Sequence, residues 1–458
     1  MRRRLLLLTC SVVVVGVAAV AVQSEPKPTL YHGARLILGS ESAPIENGAF
    51  VVQGGAITAV GVAGQVRLPA GGVRVDLTGK TVMPALVNAH IHIGYERFAT
   101  ARGESLAENF TKENMLDHLQ RQAYYGVGVA GDGGSAALDI AAEFLKDEAA
   151  GKFPTAARFS LTGGVVPIKG GPDGILIRGT RPLQANYEVT RSPEARKAVQ
   201  AIAARNIKHL KVWIGDRGGS YPAMPKEIYE AVIDEAHKQG IKVHAHIGST
   251  SDQKDVLRAG ADVIVHARTD DYDDELVALV REKRPYWIPV IGLGDRSRVC
   301  DNDPFFSQTL SLATVTDIQS SNCKNDAAAA AAREAGLKRA FSRMLGAGAR
   351  LVLGTDAGVF PRYAFGSADH HELSFYVRLG VSPAEALVAA TSRAAEALGM
   401  PDVGTLAAGK RADFLVLEAN PLDDITNTRR IADVYLRGVR INRPALLAQW
   451  QGQAAATR

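Results

Sequence analysis

The residues able to do chemistry begin with a pair of histidines. An apolar run, Val82–Val87, leads into His90-Ile-His92. In an extended strand, residues two apart point to the same face. His90 and His92 therefore project together from one strand, which supplies half of a metal site. Later strand-like runs carry further candidates at or near their ends. In Ile207–Ile214, the apolar Leu210, Val212 and Ile214 share one parity, and His209, Lys211 and Trp213 share the other. In Ile241–Ile247, Val243, Ala245 and Ile247 alternate with His244 and His246. Val263 and Val265 alternate with His266 and Arg268, and Asp356 follows Leu351–Thr355. If the apolar parity faces a helical layer, Lys211, His244 and His266 face inward. His209 reads as a core or lid residue, His237 as the surface of a helix, and His370-His371 as a surface or rim pair.

These groups must be held by alternating elements. Candidate strands are Val127–Gly131, Phe159–Thr162, His209–Trp213, Lys242–Ile247, Val263–His266, Trp287–Ile291 and Arg350–Gly354, after the opening run from Val82. Helical patterns such as Pro193–Arg205, Lys226–Gln239 and Asp271–Glu282 lie between most of them. Eight strands alternating with helices fit an α/β fold of the (β/α)8 TIM-barrel type. The span from His90 to Asp356 is close to the roughly 250 residues of a typical barrel. In such barrels the active groups sit at the C-terminal strand ends, where these candidates lie. An open doubly wound sheet is the rival, but no Gly-x-Gly-x-x-Gly follows an early strand. Short strands at both ends, within 29–80 and 402–445, share a Gly- and Pro-punctuated texture. They are expected to combine into a small β-sandwich domain beside a barrel over 81–400.

The chain resembles the amidohydrolase superfamily, in the branch with imidazolonepropionase and the prolidase-like dipeptidases. The resemblance rests on Pro84…His90-Ile-His92, Lys211, His244-Ala-His246, His266 and Gly354-Thr-Asp-Ala-Gly358, then on Ala390-Thr391 and Gly404 to Asp413. Ala85 and Asn88 depart from the family's usual Gly and Asp, and neither position is a ligand. The resemblance implies two divalent ions, zinc by ligand type. His90, His92 and Asp356 would hold one, His244 and His266 the other, and carboxylated Lys211 would bridge them. As a carbamate, a lysine becomes an anionic oxygen ligand, which an ammonium cannot be. Two such ions share and acidify one hydroxide, and Asp356 is placed to carry a proton to the leaving nitrogen.

Composition narrows the partners. Of 458 residues, 46% are hydrophobic and 22% charged, as in ordinary globular chains. The formal charge of +5 owes three units to Arg2, Arg3 and Arg4, so the remainder is nearly balanced and argues against nucleic acid. Residues 1–24 read as a secretory signal, with Leu5–Val22 as its apolar core and Ala19-Val20-Ala21 as a cleavage site. Left uncleaved, that run is long enough for a membrane anchor. An exported protein, periplasmic or secreted, is expected. Cys300 and Cys323 bracket a polar, loop-like stretch, Asp301–Asn322, and a disulfide between them fits an oxidising compartment. An oligomer is left open.

The substrate is expected to be a small molecule with a carboxylate near the scissile bond. Arg268 lies two residues beyond His266 on the same parity, and Arg217 and Arg178 follow the fourth and third strands. Guanidinium groups hold carboxylates in bidentate fashion. His246 would add a hydrogen bond and Trp213 an apolar wall. A dipeptide or N-acyl amino acid suits this set. A cyclic-amide or lactone hydrolase on the same metals, and a binding protein on a decayed barrel, are the alternatives.

Overall fold

A computed structural model of the chain describes residues 27–96, 106–167, 183–216, 219, 221–269, 272–295, 303–322, 326–359 and 363–456. The signal-like run, Arg178, Arg217, Cys300 and Cys323 lie outside the described residues. Among the described residues, no helix is long and apolar enough to cross a membrane.

The chain opens with β1 (Thr29–Leu36), β2 (Ile45–Gln53), β3 (Ala56–Val62), β4 (Val73–Asp76) and β5 (Thr81–Pro84). Strands of the α/β body follow: β6 (Leu86–Ile91), β7 (Val127–Asp132), β8 (Arg158–Ser160), β9 (Thr162–Val166) and β10 (Asn186–Glu188). Next come β11 (His209–Trp213), β12 (Lys242–His246), β13 (Val263–Val265), β14 (Tyr286–Ile288) and β15 (Arg350–Leu351). The chain finishes with β16 (Phe414–Leu417), β17 (Ile431–Leu436), β18 (Val439–Arg440) and a helix, Arg443–Ala456.

The body is a TIM-barrel-like α/β fold. Strands β10-β9-β11-β12-β13-β14-β15 form one parallel sheet and β6-β7-β8 another. Only Leu161 separates β8 from β9. Beyond β15 the backbone continues along β6. Ala89 N–H donates to Leu353 O, Thr355 and Asp356 N–H to His90 O, and His92 N–H to Ala357 O. From β11 to β15 sheet order follows chain order, with helices between successive strands. Lys226–Lys238 connects β11 to β12, and Thr250–Ala259 connects β12 to β13. The latter starts at a capping box in which Ser249 and Asp252 bond each other's backbone N–H, and it ends at left-handed Gly260.

In β11 the side chain of Lys211 reaches toward His90, with Nζ 3.3 Å from its Nε2. Leu210 and Val212 are fully buried, as is Lys211 on the opposite face. A strand buried on both faces carries an apolar side against the helices and, here, a polar side inward. Three expectations need correction. Most body strands are shorter than read; β15 has two residues, because the chain leaves the ladder early to bring Asp356 into place. The stretch Asp301–Asn322 is not loop-like but carries helices Pro304–Ser307 and Leu312–Asn322. Asp303 caps the first through Phe305 N–H, and Ser311 accepts from Thr314 N–H at the second. His370 is not a surface residue: it is 1% exposed, bonded to Thr428 Oγ1 (2.9 Å) and Tyr125 O (2.8 Å). His237 does lie on a helix surface, paired with Asp262.

The two chain ends share one mixed sheet, β18-β17-β16-β5-β1-β2-β3, with β4 beside β1. Its strands form one continuous hydrogen-bonded path. The core holds Tyr31, Phe50, Phe414 and Tyr435, with ring centroids 4.5–5.4 Å apart in the contacts they make.

Candidate metal centre

Two segments deliver the first cluster. β6 presents His90 and then, one residue past its end, His92; the turn after β15 presents Asp356. Their ligand atoms lie within 4.8 Å of one another and all three residues are buried. His90 Nε2 is 2.8 Å and His92 Nε2 3.5 Å from Asp356 Oδ1. This approach needs the two glycines of Gly354-Thr-Asp-Ala-Gly358. A Cβ on Gly354 would sit 2.7 Å from His90 Cβ, and one on Gly358 would sit 1.8 Å from His92 O. Asp356 itself has φ 55°, and His266 has φ 84°. Left-handed backbone at non-glycine positions is uncommon and clusters where function over-determines geometry.

Lys211 is fully buried, with Nζ 3.3 Å from His90 Nε2 and 5.2 Å from the Trp213 ring. His244 pairs with Lys211 across the β11–β12 ladder. His266 Nδ1 is 3.9 Å from Asp356 Oδ2, and the His266 and His90 rings are 6.2 Å apart. The structure therefore gathers His90, His92, Lys211, His266 and Asp356, with His244 beside Lys211. His246 bonds His266 through Nδ1 to Nε2 (2.9 Å), so it braces a candidate ligand. Trp213 is buried, 6.5 Å from the His246 ring. Arg268 is half-buried two residues past His266, and its backbone N–H donates to Tyr272 Oη.

The electrostatics suit cation binding. Burial, then the Lys211 charge, brings His90 down to about 4. Burial likewise holds His244 and His266 well below the usual imidazole range. Burial alone would raise the Asp356 carboxyl, but His90 and His266 outweigh it and hold it well below the carboxylate range. Neutral imidazoles and an ionised carboxylate are the protonation states that ligate metals. His244 Nδ1 is buried and has no hydrogen-bond partner among the described residues. A buried polar atom of that kind calls for a partner, so the donor set fits divalent ions.

Several supporting residues escaped the sequence reading. Ser135 Oγ lies 2.6 Å from His92 Nδ1. Asn88 accepts from His90 N–H and donates to Thr355 Oγ1 and Asp369 Oδ1, each at 2.8–2.9 Å. Asp132, at the end of β7, is raised to about 6 by burial, although nearby His92 acts against this. Nothing in the spacing marks Ser135 or Asp132. Only the inward parity of His209, shared with Lys211, was visible.

A family model described as "Amidohydrolase family" matches residues 81–441. An ochratoxinase of Aspergillus niger is 26% identical over 453 residues, covering 89% of this chain and 84% of that protein. An imidazolonepropionase of Deinococcus deserti is 41% identical over 103 residues, which is 22% of this chain and 25% of that protein. In fold, the chain resembles a crystal structure of a Xaa-Pro dipeptidase with methionine bound in its active site. The TM-score is 0.70 at 22% identity, covering 90% of this chain and 99% of that one.

Proposed function

Because the chain belongs to the amidohydrolase family, whose members are metal-dependent hydrolases of C–N bonds, we propose that it is an exported two-metal amidohydrolase of dipeptides or N-acyl amino acids. Its body is read as a closed eight-stranded barrel with a composite β-sandwich beside it. The observation that carries the reading is the buried group His90, His92 and Asp356 with the Lys211 amine 3.3 Å from His90. An ammonium buried against imidazoles is costly, whereas a carbamate there is an oxygen donor.

In this reading His90, His92 and Asp356 would hold one ion, His244 and His266 would hold the other, and Lys211, once carboxylated, would supply oxygen ligands to the site. Bound zinc ions supply Lewis-acid polarisation of the scissile carbonyl and an acidified water. The protein does the rest. Asp356, ionised while buried, takes the proton at a carboxylate oxygen and returns it to the leaving nitrogen. Arg268 binds the substrate carboxylate and fixes its orientation. Trp213 and the apolar strand ends exclude water from the reacting bond. The Aspergillus niger relative's name, ochratoxinase, supports a small organic substrate.

The test joins metal analysis to a substrate screen. Two metal equivalents per chain are expected, with one lost in Lys211→Ala together with most activity. Turnover of dipeptides and N-acyl amino acids is expected over lactones and cyclic ureides. A Lys211→Ala protein with full metal and normal turnover overturns the bridging role, and activity on cyclic substrates alone overturns the substrate class.

A further inference from the structure

We propose that His209 fixes the tautomer of His244 from beneath, making Nδ1 of His244 its ligating atom. The inference rests on reading His244 as a ligand and assigns His209 as a positioning residue. His209 opens β11, two residues before Lys211 and on the same inward face. Its Nε2 lies 3.0 Å from Leu398 O, and its Nδ1 lies 3.2 Å from His244 Nε2.

A carbonyl oxygen only accepts, so His209 Nε2 carries a hydrogen. The ring is 4% exposed, and its hydrogen bonds among the described residues run to a carbonyl and an imidazole. A ring that already donates through Nε2 to a carbonyl, and faces another ring nitrogen at 3.2 Å, offers Nδ1 as the acceptor. The facing His244 Nε2 then donates. A neutral imidazole with its hydrogen on Nε2 has its remaining lone pair on Nδ1. His244 Nδ1 is the atom left buried without a hydrogen-bond partner.

Two N–H bonds in series thus translate the direction of one backbone carbonyl into a bare lone pair beside Lys211. Leu398 follows the helix Ser392–Ala397, so that helix end, remote in sequence, determines which atom β12 offers. Partners of ligating histidines fix ring orientation and tautomer in this way, and losing one typically weakens metal binding ~10–100-fold.

Two substitutions and one spectrum test the inference. His209→Phe keeps a flat ring and removes both polar atoms; His209→Gln keeps one acceptor and one donor. In metal-loaded protein carrying 15N-histidine, His244 should show its proton on Nε2. His209→Phe, with its melting temperature checked, should lose one metal equivalent to a chelator ~10–100-fold more readily, and His209→Gln should recover most of that retention. A proton on His244 Nδ1 overturns the inference, and the wild-type spectrum gives that answer even when His209→Phe fails to fold. Wild-type metal retention in a folded His209→Phe also overturns it. His244→Ala separates the two claims. A full metal complement there overturns the ligand reading; a loss there with normal retention in His209→Phe overturns the relay alone.

Discussion

The candidate metal centre and the sheet made from the two chain ends are both buried, yet they are built on opposite terms. At the centre, His266 and Asp356 hold left-handed backbone, three imidazoles crowd one carboxylate, and a lysine lies against one of those imidazoles. In the end sheet, Tyr31, Phe50, Phe414 and Tyr435 fill a core with stacked and edge-on rings. Aromatic pairs of this kind add to the stabilisation from burial. The difference teaches a division of labour. The site stores unfavourable geometry for chemistry, and the rest of the fold supplies the stability that holds it.

The comparison breaks first at Asp356. Asn tolerates left-handed backbone, so Asp356→Asn isolates the charge. We expect kcat to fall at least ~10³-fold, with little change in the melting temperature of metal-free protein. A large drop in that temperature would make Asp356 a structural residue. The converse change is Phe50→Ala in the end sheet. It should cost about 4 kcal/mol in denaturant unfolding and leave kcat intact in folded protein. A specific loss of kcat would show that the two regions are not separable.

Between them lies an acid pair behind the site, which sharpens the contrast. Glu372 accepts from Ile291 and Gly292 N–H, and burial raises it from an ordinary value of 4.5 to about 7. Asp369, bonded to Asn88, is also raised to about 7 by burial. A carboxyl raised on folding binds its proton more tightly in the native state. The stability it contributes is whole below about 4.5 and is lost as pH rises to about 7, on the order of 3 kcal/mol per group. Glu372→Gln should make the fall in stability across that window shallower. An unchanged slope in pH-dependent denaturation would show that Glu372 does not titrate there.

The smallest effect is expected at the mouth. Arg268→Met should lower kcat/KM for a dipeptide roughly 30-fold, the worth of a charge-assisted hydrogen bond. The same dipeptide amidated at its C-terminus should lose much less. Equal losses on both substrates would assign Arg268 to the support of its loop.

What the sequence could reveal follows from range. Parity is local, so the inward set His209, Lys211 and Trp213 and the pair His244 and His246 were readable from alternation alone. The glycines around Asp356 were readable as a motif. Contacts that join distant segments were not. Ser135 reaches His92 from 43 positions away, and Leu398 reaches His209 from 189. His370 reads as a rim residue until Tyr125 O and Thr428 close around it. The helices within Asp301–Asn322 were legible in principle, since Asp303-Pro304 and Ser311 are N-terminal signals, but the polar composition masked them.

The end sheet also sets a schedule for the life of the chain. β16 pairs directly with β5, and Lys80 is joined to Glu418 across 338 positions. Until the ribosome has delivered Phe414–Leu417, β5 has an open edge on that side, immediately before the strand that carries His90. Loops this long close slowly. A chain still being synthesised therefore keeps one flank of its first site strand unfinished until almost its last residues emerge. A copy cut short before Phe414 would leave β5 without that partner.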